Sequence, residues 1–263
     1  MAFKITAYII NLDGSDERWK SATAELNKLN LCHVRVSAID GRNRPLSDFP
    51  SYDSAKTRRH YDRDLNGGEI GCYLSHIRAL NMFIESGADS CLILEDDFVF
   101  SAVSNQDGTR VFNEVQDLLA NGWALCNVGS SYDKRNRAVR RVDQVVISQS
   151  YIFPLLTHAI IWSRNAALDF IAQHSQIAEP VDHAFRSWAT RQGRALMITP
   201  PLFTQILGNS DINKSTTSRK GDEGNRLLAK MRRRKISLSI KAPLYFWATY
   251  HQLRAIFFGK HRL

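Results

Sequence analysis

Three consecutive carboxylates, Glu95-Asp96-Asp97, end the apolar run Cys91-Leu92-Ile93-Leu94 and precede Phe98-Val99-Phe100. The run reads as a buried strand. Crowding three acids at its tip is unfavourable unless a cation or solvent receives them. A divalent metal is one receiver, because Mg²⁺ or Mn²⁺ takes oxygen ligands and, with coordination positions left open, holds a diphosphate against the same ion. A solvated turn whose Asp residues cap a helix is the alternative that this segment leaves open.

The elements that would carry this motif follow from periodicity. Ile5 to Leu12 is a nearly continuous apolar segment closed by Asn11-Leu12-Asp13-Gly14, a strand and turn. Ser15 or Asp16 then caps a helix in which Trp19, Ala22, Leu26 and Leu29 recur at helical spacing. His33 to Ile39 is a second strand closed by Asp40-Gly41, so strand, helix and strand open a parallel sheet. Residues 42–66 are polar and long for a connection, which predicts a functional loop or lid. Gly67-Gly68 ends it, and Glu69 to Ser86 keeps helical period. A helix near Thr109 to Ala120, strands near Ala124 to Val128 and Ala159 to Trp162, helices over Ser163–Gln173 and Asp182–Arg191, and a strand at Ala195–Ile198 continue the alternation. Ligands of an open parallel sheet gather beyond the carboxyl ends of its strands, where three ends here carry acids. Residues 130–157, polar and long, are expected with 42–66 to hold substrate contacts.

With 263 residues, 44% hydrophobic and 23% charged, the chain has enough for one large α/β domain with an appendage. Cys32, Cys72, Cys91 and Cys126 are widely spaced, unlike a zinc cluster or a disulfide scaffold, and are expected reduced. The start lacks a signal-peptide pattern, and no run is long enough to span a membrane. Net charge is +9, but from Lys214 onward 13 Lys/Arg face 2 Asp/Glu, so the tail carries +11 and the remainder −2. Lys230-Met231-Arg232-Arg233-Arg234-Lys235 precedes Pro243-Leu244-Tyr245-Phe246-Trp247 and Ile256-Phe257-Phe258. Cations beside aromatics suit an anionic membrane surface; nucleic acid and simple packing on the main domain are the rivals.

Taken together, Ile10-Asn11-Leu12-Asp13 with Arg18, Ala38-Ile39-Asp40-Gly41, Gly68-Glu69-Ile70-Gly71-Cys72 with Ser75-His76, Leu94-Glu95-Asp96-Asp97 and Pro180-Val181-Asp182 make the chain resemble glycosyltransferase family 25, the lipooligosaccharide sugar transferases. The resemblance spans residues 5–212. It implies an α/β, GT-A type nucleotide-sugar-binding fold, a mostly parallel sheet flanked by helices, over residues 1–220, with 221–263 as a basic, aromatic-rich helical appendage. It also implies an inverting enzyme that moves galactose in β linkage from UDP-galactose to a lipooligosaccharide acceptor, assisted by Mn²⁺ or Mg²⁺, in the cytoplasm on the inner face of the inner membrane. Glu95-Asp96-Asp97 departs from the Asp-x-Asp of many such enzymes, though Glu95 and Asp97 keep its separation.

Within that reading the departing diphosphate needs a cation and the incoming hydroxyl needs a base. Asp97 and then Glu95, on one face of a strand, are assigned to the metal, with Asp96 facing ribose or donor sugar. Asn11, Leu12, Asp13 and Arg18 are assigned to the nucleotide, Arg18 pairing with phosphate, clamping the acids, or simply bridging to Asp13 or Glu17. Asp40 bonds ribose or merely forms a turn. Gly68 lets backbone approach the donor, and Ser75, His76 and Gln205 complete the donor set, His76 being equally readable as core. Asp182 is the first candidate base and Glu69 the second; Asp182 is equally a helix cap. His158 and His183 are polar candidates read as structural, and Asn209, Ser210, Asp211, Lys214 and Arg219 a loop closing on the donor. A glucosyl or other hexosyl transferase, a metal-dependent phosphohydrolase and a basic nucleic-acid-binding protein are the alternatives.

Overall fold

Ile5 to Ile10 and Cys91 to Leu94 are apolar at almost every position because both faces of their strands are covered. The computed structural model describes residues 5–101, 105–130, 135–205 and 226–258. Strands β1 (Thr6–Asn11), β2 (His33–Ser37) and β3 (Ser90–Glu95) run parallel and adjacent, β1 in the middle. The eight-stranded sheet has the order β2-β1-β3-β8-β5-β9-β7-β6, with β5 (Leu125–Asn127), β6 (Asn136–Val142), β7 (Val145–Ser150), β8 (Ala159–Ser163) and β9 (Ala195–Thr199). Strand β8 is antiparallel to both neighbours and β7 to both of its own, so the sheet is mixed at these two positions.

Alternation along β3 divides the core. Leu92 and Leu94 join Ile5, Ala7 and Ile9 of β1 and the apolar stripes of α1 (Asp16–Lys28) and α4 (Asn105–Ala120). Cys91 and Ile93 join the other layer, from α3 (Gly67–Glu85), α5 (Arg164–Gln173) and α6 (Val181–Gln192). There Trp162 lies parallel to Trp188, at 5.7 Å between ring centroids, and meets Phe170 and Phe185 edge-on. This is the α/β sheet flanked by helices that the sequence implies.

Several expectations change. Within 42–66 the chain forms a short 3₁₀ turn (Leu46–Asp48) and α2 (Ser54–Tyr61), capped by the Asp53 carboxylate on the Lys56 amide, rather than a long loop. The expected substrate loop at 130–157 holds the β6–β7 hairpin at the sheet edge; its pattern was hidden because β6 carries the consecutive exposed Arg140 and Arg141 and a register shift between Ala138 and Arg140, which break the alternation. The second strand ends at Ser37, two residues early, and Ser15 caps α1 without a side-chain bond. A short antiparallel pair, β4 (Phe98–Phe100) with β10 (Phe203–Gln205), follows the acidic motif. The tail forms α7 (Arg226–Phe258), with Pro243 inside it, which packs on α2 and α6 and buries Ala248 against Tyr151 and Ile152. Among the described residues no helix is long and apolar enough to cross a membrane, and all four cysteines are free.

The start of α3 lies against the 39–41 segment so closely that side chains are excluded. A Cβ on Gly71 would stand 2.3 Å from the Ile39 carbonyl oxygen, and one on Gly41 1.8 Å from that of Gly67. Ser75 completes the joint, accepting from the Ile39 amide at 2.8 Å and donating to the Gly71 carbonyl at 2.6 Å. Gly71→Ala therefore forces backbone apart and is expected to cost about 1–3 kcal/mol. Urea denaturation checks this, and an unchanged midpoint would contradict the packing.

Candidate active site

Asp96 and Asp97 form the tight turn between β3 and β4, and the period of two decides where each neighbouring acid goes. Glu95 continues the face of Cys91 and Ile93 towards α3. There its Oε1 accepts from Thr157 Oγ1 at 2.7 Å and lies 3.2 Å from His76 Nε2, on a buried ring packed edge-on against Phe185. Burial alone would raise the Glu95 carboxyl, but the His76 contact and charge, with the Thr157 bond, hold it down to about 2. Asp96 turns the other way. Asn11 Nδ2 donates to it at 2.6 Å and Arg18 bridges to it at 2.6 Å, so both oxygens are held.

Asp97 is the least satisfied of the three. Gln205, delivered by the β4–β10 pairing, donates to Oδ2 at 2.9 Å and Arg18 lies 3.4 Å from the same oxygen, while Oδ1 is buried without a partner. Burial, then the charge of Glu95, pushes this carboxyl up; burial likewise raises Asp96. Beside them His158 is 2% exposed with both ring nitrogens unpartnered. An orphaned carboxylate oxygen beside mutually repelling carboxylates fits a divalent cation, and Asp97 with Glu95 are the residues that would hold it. Cys72, His76 and Glu95 also place ligand atoms within 4.8 Å of one another. Burial, then the charges of Glu95 and Asp182, drives the Cys72 thiol well up, so this trio lacks the thiolate a softer metal would want.

A cleft of about 230 Å³ opens over the carboxyl ends of β1, β2 and β3, lined by Leu12, Arg18, Asp40, Gly68, Ser75, His76, the three acids and Gln205. Ten of the twelve residues assigned to donor or metal thus line one cavity: Asp13, 76% exposed and bonded to Ser37, and the deeply buried Asn11 stand apart from it, while the two candidate bases, Glu69 and Asp182, line the next cavity. Arg18 clamps Asp96 and Asp97 rather than bridging to Asp13 or Glu17. Asp40 is held by Arg42 through two side-chain bonds, which keep its carboxyl below the usual range.

The second cavity, also about 230 Å³, shares Cys72, Glu95 and Gln205 with the first and adds Glu69, Leu155, Leu156, Thr157, His158 and Asp182. Glu69 has both oxygens committed, to Arg63 at 2.6 and 2.7 Å and, in a capping box, to the Asn66 amide. Asp182, in the first turn of α6, accepts the His183 amide at 2.9 Å, and burial raises its carboxyl against the opposing charge of His183. His183 faces Tyr61, 3.1 Å from its hydroxyl. Arg42 and Thr157 were not named as site residues from the sequence, and His158 was named only as a polar candidate read as structural; tertiary packing brings the 155–158 segment, through a β8 that runs antiparallel, to the tip of β3. The expected contacts at Asn209, Ser210, Asp211, Lys214 and Arg219 lie outside the described residues.

Comparison with known proteins identifies the family. The sequence model of glycosyltransferase family 25 (LPS biosynthesis protein) matches residues 4–185, which hold every acid above. Procollagen galactosyltransferase 1 of Danio rerio is 25% identical over 150 residues, 53% of this chain and 24% of that protein. A glycosyltransferase 25 family member of Drosophila melanogaster is 25% identical over 183 residues, 66% of this chain and 28% of that one. The chain thus spans about a quarter of the length of the curated relatives it matches. A glycosyltransferase involved in glycosylation of the major capsid of PBCV-1 superposes with a TM-score of 0.42 at 9% identity, over 78% of this chain and 94% of that one.

The raised Asp97 carboxyl has a stability consequence. Its ionised form is disfavoured in the fold, so stability is greater while it is protonated and is lost as pH rises through its folded pKa. Without metal, Asp97→Asn should therefore stabilise the protein at pH 7 by on the order of 1 kcal/mol, with the gain vanishing as pH falls through that pKa. Thermal melts at several pH values test this; a variant less stable than wild type at pH 7 would show that Asp97 is not strained by its neighbours.

Proposed function

The chain belongs to glycosyltransferase family 25, and from that premise we propose that it transfers a hexose, galactose from UDP-galactose, in β linkage to a sugar hydroxyl of a lipooligosaccharide acceptor, with Mn²⁺ or Mg²⁺ assisting. The observation that carries the reading is the pair of joined cavities meeting at Glu95 and Gln205, one walled by phosphate- and ribose-suited groups and the other by Asp182. The first takes the nucleotide, with Leu12 and the 38–41 segment against base and ribose and Asp40 at the ribose hydroxyls. A cation held by Asp97 and Glu95 would neutralise charge growing on the diphosphate. Arg18 fixes the acids, and Glu95 is fixed in turn by His76 and Thr157.

Asp182 accepts the proton of the attacking hydroxyl. Its carboxyl, raised by burial, is a stronger base than an exposed Asp, while Glu69 is tied to Arg63 and serves to shape the mouth of the cavity. Attack from the Asp182 side as UDP departs from the other inverts the anomeric centre.

The second partner is an anionic membrane surface. Phe246, Tyr250, Leu253 and Phe257 recur at helical spacing on α7 and are 64%, 45%, 47% and 73% exposed, next to a stretch rich in Lys and Arg. This supports attachment at the cytoplasmic face of the inner membrane.

UDP release from a panel of UDP-sugars tests the reaction. Mn²⁺-dependent turnover of UDP-galactose is expected, abolished in Asp97→Ala and lowered roughly 10²–10⁴-fold in kcat by Asp182→Asn. Turnover indifferent to both substitutions would reject the assignment. Co-sedimentation tests the surface: the wild type should pellet with vesicles containing phosphatidylglycerol, and Phe246→Ser/Phe257→Ser should pellet several-fold less. Equal recovery with and without vesicles would exclude that face as an anchor.

A further inference from the structure

Pro180 gives α6 no capping side chain, so the first turn, which carries Asp182, depends on ties made elsewhere. One of them runs through the next residue. The His183 amide donates to Asp182 Oδ1 at 2.9 Å, and the ring of that same His183 meets Tyr61, the last residue of α2. The Tyr61 hydroxyl lies 3.1 Å from His183 Nδ1 and donates to Glu179 Oε2 at 3.1 Å, while the two rings pack edge-on with 5.4 Å between centroids. Ser187 Oγ makes a longer contact, 3.4 Å, to the other Glu179 oxygen. The start of α2 is fastened to the same stretch of chain. Tyr52 and Ile177 form a parallel bridge, in which the Asp53 amide donates to the Ile177 carbonyl and the Ile177 amide to that of Ser51, each at 2.8 Å. Helix α2 is therefore tied at both ends to the segment that leads into α6.

A phenol has one proton to give. Burial and the charge of Glu179 push the Tyr61 hydroxyl up, so it keeps that proton, and donation to Glu179 uses it. The contact with His183 is then a hydrogen bond only if Nδ1 carries a hydrogen and donates to the phenol oxygen, which leaves Nε2 as the acceptor nitrogen of the neutral ring. We propose that Tyr61 and Glu179 are positioning residues of the transfer reaction: they hold His183 with its proton on Nδ1 and, through the main chain of that residue, fix the Asp182 carboxylate that takes the proton of the attacking hydroxyl. The inference rests on the transferase reading and deepens it. Proton transfer to a carboxylate demands hydrogen-bond reach, and an uncapped helix start with a freely turning residue next to the base would not keep it. The polar segment 42–66 thus serves the site as a brace behind the base.

Nuclear magnetic resonance of the full chain, labelled with ¹⁵N on its histidine rings, reads the tautomer at alkaline pH, where imidazoles are neutral; the signals lost in His183→Asn identify the residue. Wild-type His183 should carry its proton on Nδ1, and Tyr61→Phe, which keeps the ring and removes only the hydroxyl, should move it to Nε2. UDP release from UDP-galactose, with water in the place of the acceptor, gives the second readout. Tyr61→Phe should lower kcat roughly tenfold and leave KM for the donor within about twofold, because the nucleotide cleft is untouched. His183→Asn, whose amide nitrogen stands where Nδ1 does, should keep kcat within about threefold of wild type, whereas His183→Ala should fall as far as Tyr61→Phe. A wild-type proton on Nε2, a tautomer or a kcat indifferent to Tyr61→Phe, or equal losses in His183→Asn and His183→Ala would overturn the proposal. Thermal midpoints of the three variants, read alongside, tell loss of position from loss of fold. A wild type that shows the Nδ1 proton but releases UDP from no donor would instead count against the transferase reading.

Discussion

Everything at the catalytic end of this protein depends on holding three adjacent carboxylates at the tip of β3. Each is compensated differently, and the differences are functional. Glu95 is secured by His76 and Thr157, Asp96 by Asn11 and Arg18, and Asp97 only partly, by Gln205 and a longer contact to Arg18. The residual strain sits on Asp97, whose buried oxygen lacks a partner. Destabilisation of that kind persists where a ligand relieves it, as an incoming cation would here.

The supports come from every layer of the fold. Strand β1 supplies Asn11, α1 supplies Arg18, α3 supplies His76, the segment before β8 supplies Thr157 and His158, and β10 supplies Gln205. The glycine-mediated contact of α3 with the 39–41 segment sets the distance between the helix carrying His76 and the wall carrying Asp40. One end of the sheet is thereby made rigid enough to hold like charges in register, which loops alone would not do.

The α6 N-terminus organises the opposite side. Pro180 begins it, Asp182 and His183 line different cavities, and burial raises the Asp182 carboxyl. Lys241 and Trp247 of α7 line a groove of about 620 Å³ together with residues of α2 and α6.

The sequence by itself determined the strands and helices whose periodicity is unbroken: β1, α1, α3, β3, α5, α6 and β9 lie where their apolar patterns place them, to within a few residues. It also determined that acids and a Gly-rich helix start would meet at one sheet edge, because parallel strands share a carboxyl end. Direction and partnership were decided by tertiary structure. An antiparallel β8 carries the same apolar pattern as a parallel one, so nothing local revealed that Thr157 and His158 would arrive beside Glu95. The β6–β7 hairpin was hidden because its edge strand carries consecutive exposed Arg residues and a register shift, which interrupt the period of two. Asp13 was drawn into the site by its neighbours in sequence, yet it lies past the end of β1 and turns to solvent. Which of several adjacent acids is satisfied and which is left straining is a matter of angstroms across strands and helices, and periodicity along one chain carries no such information.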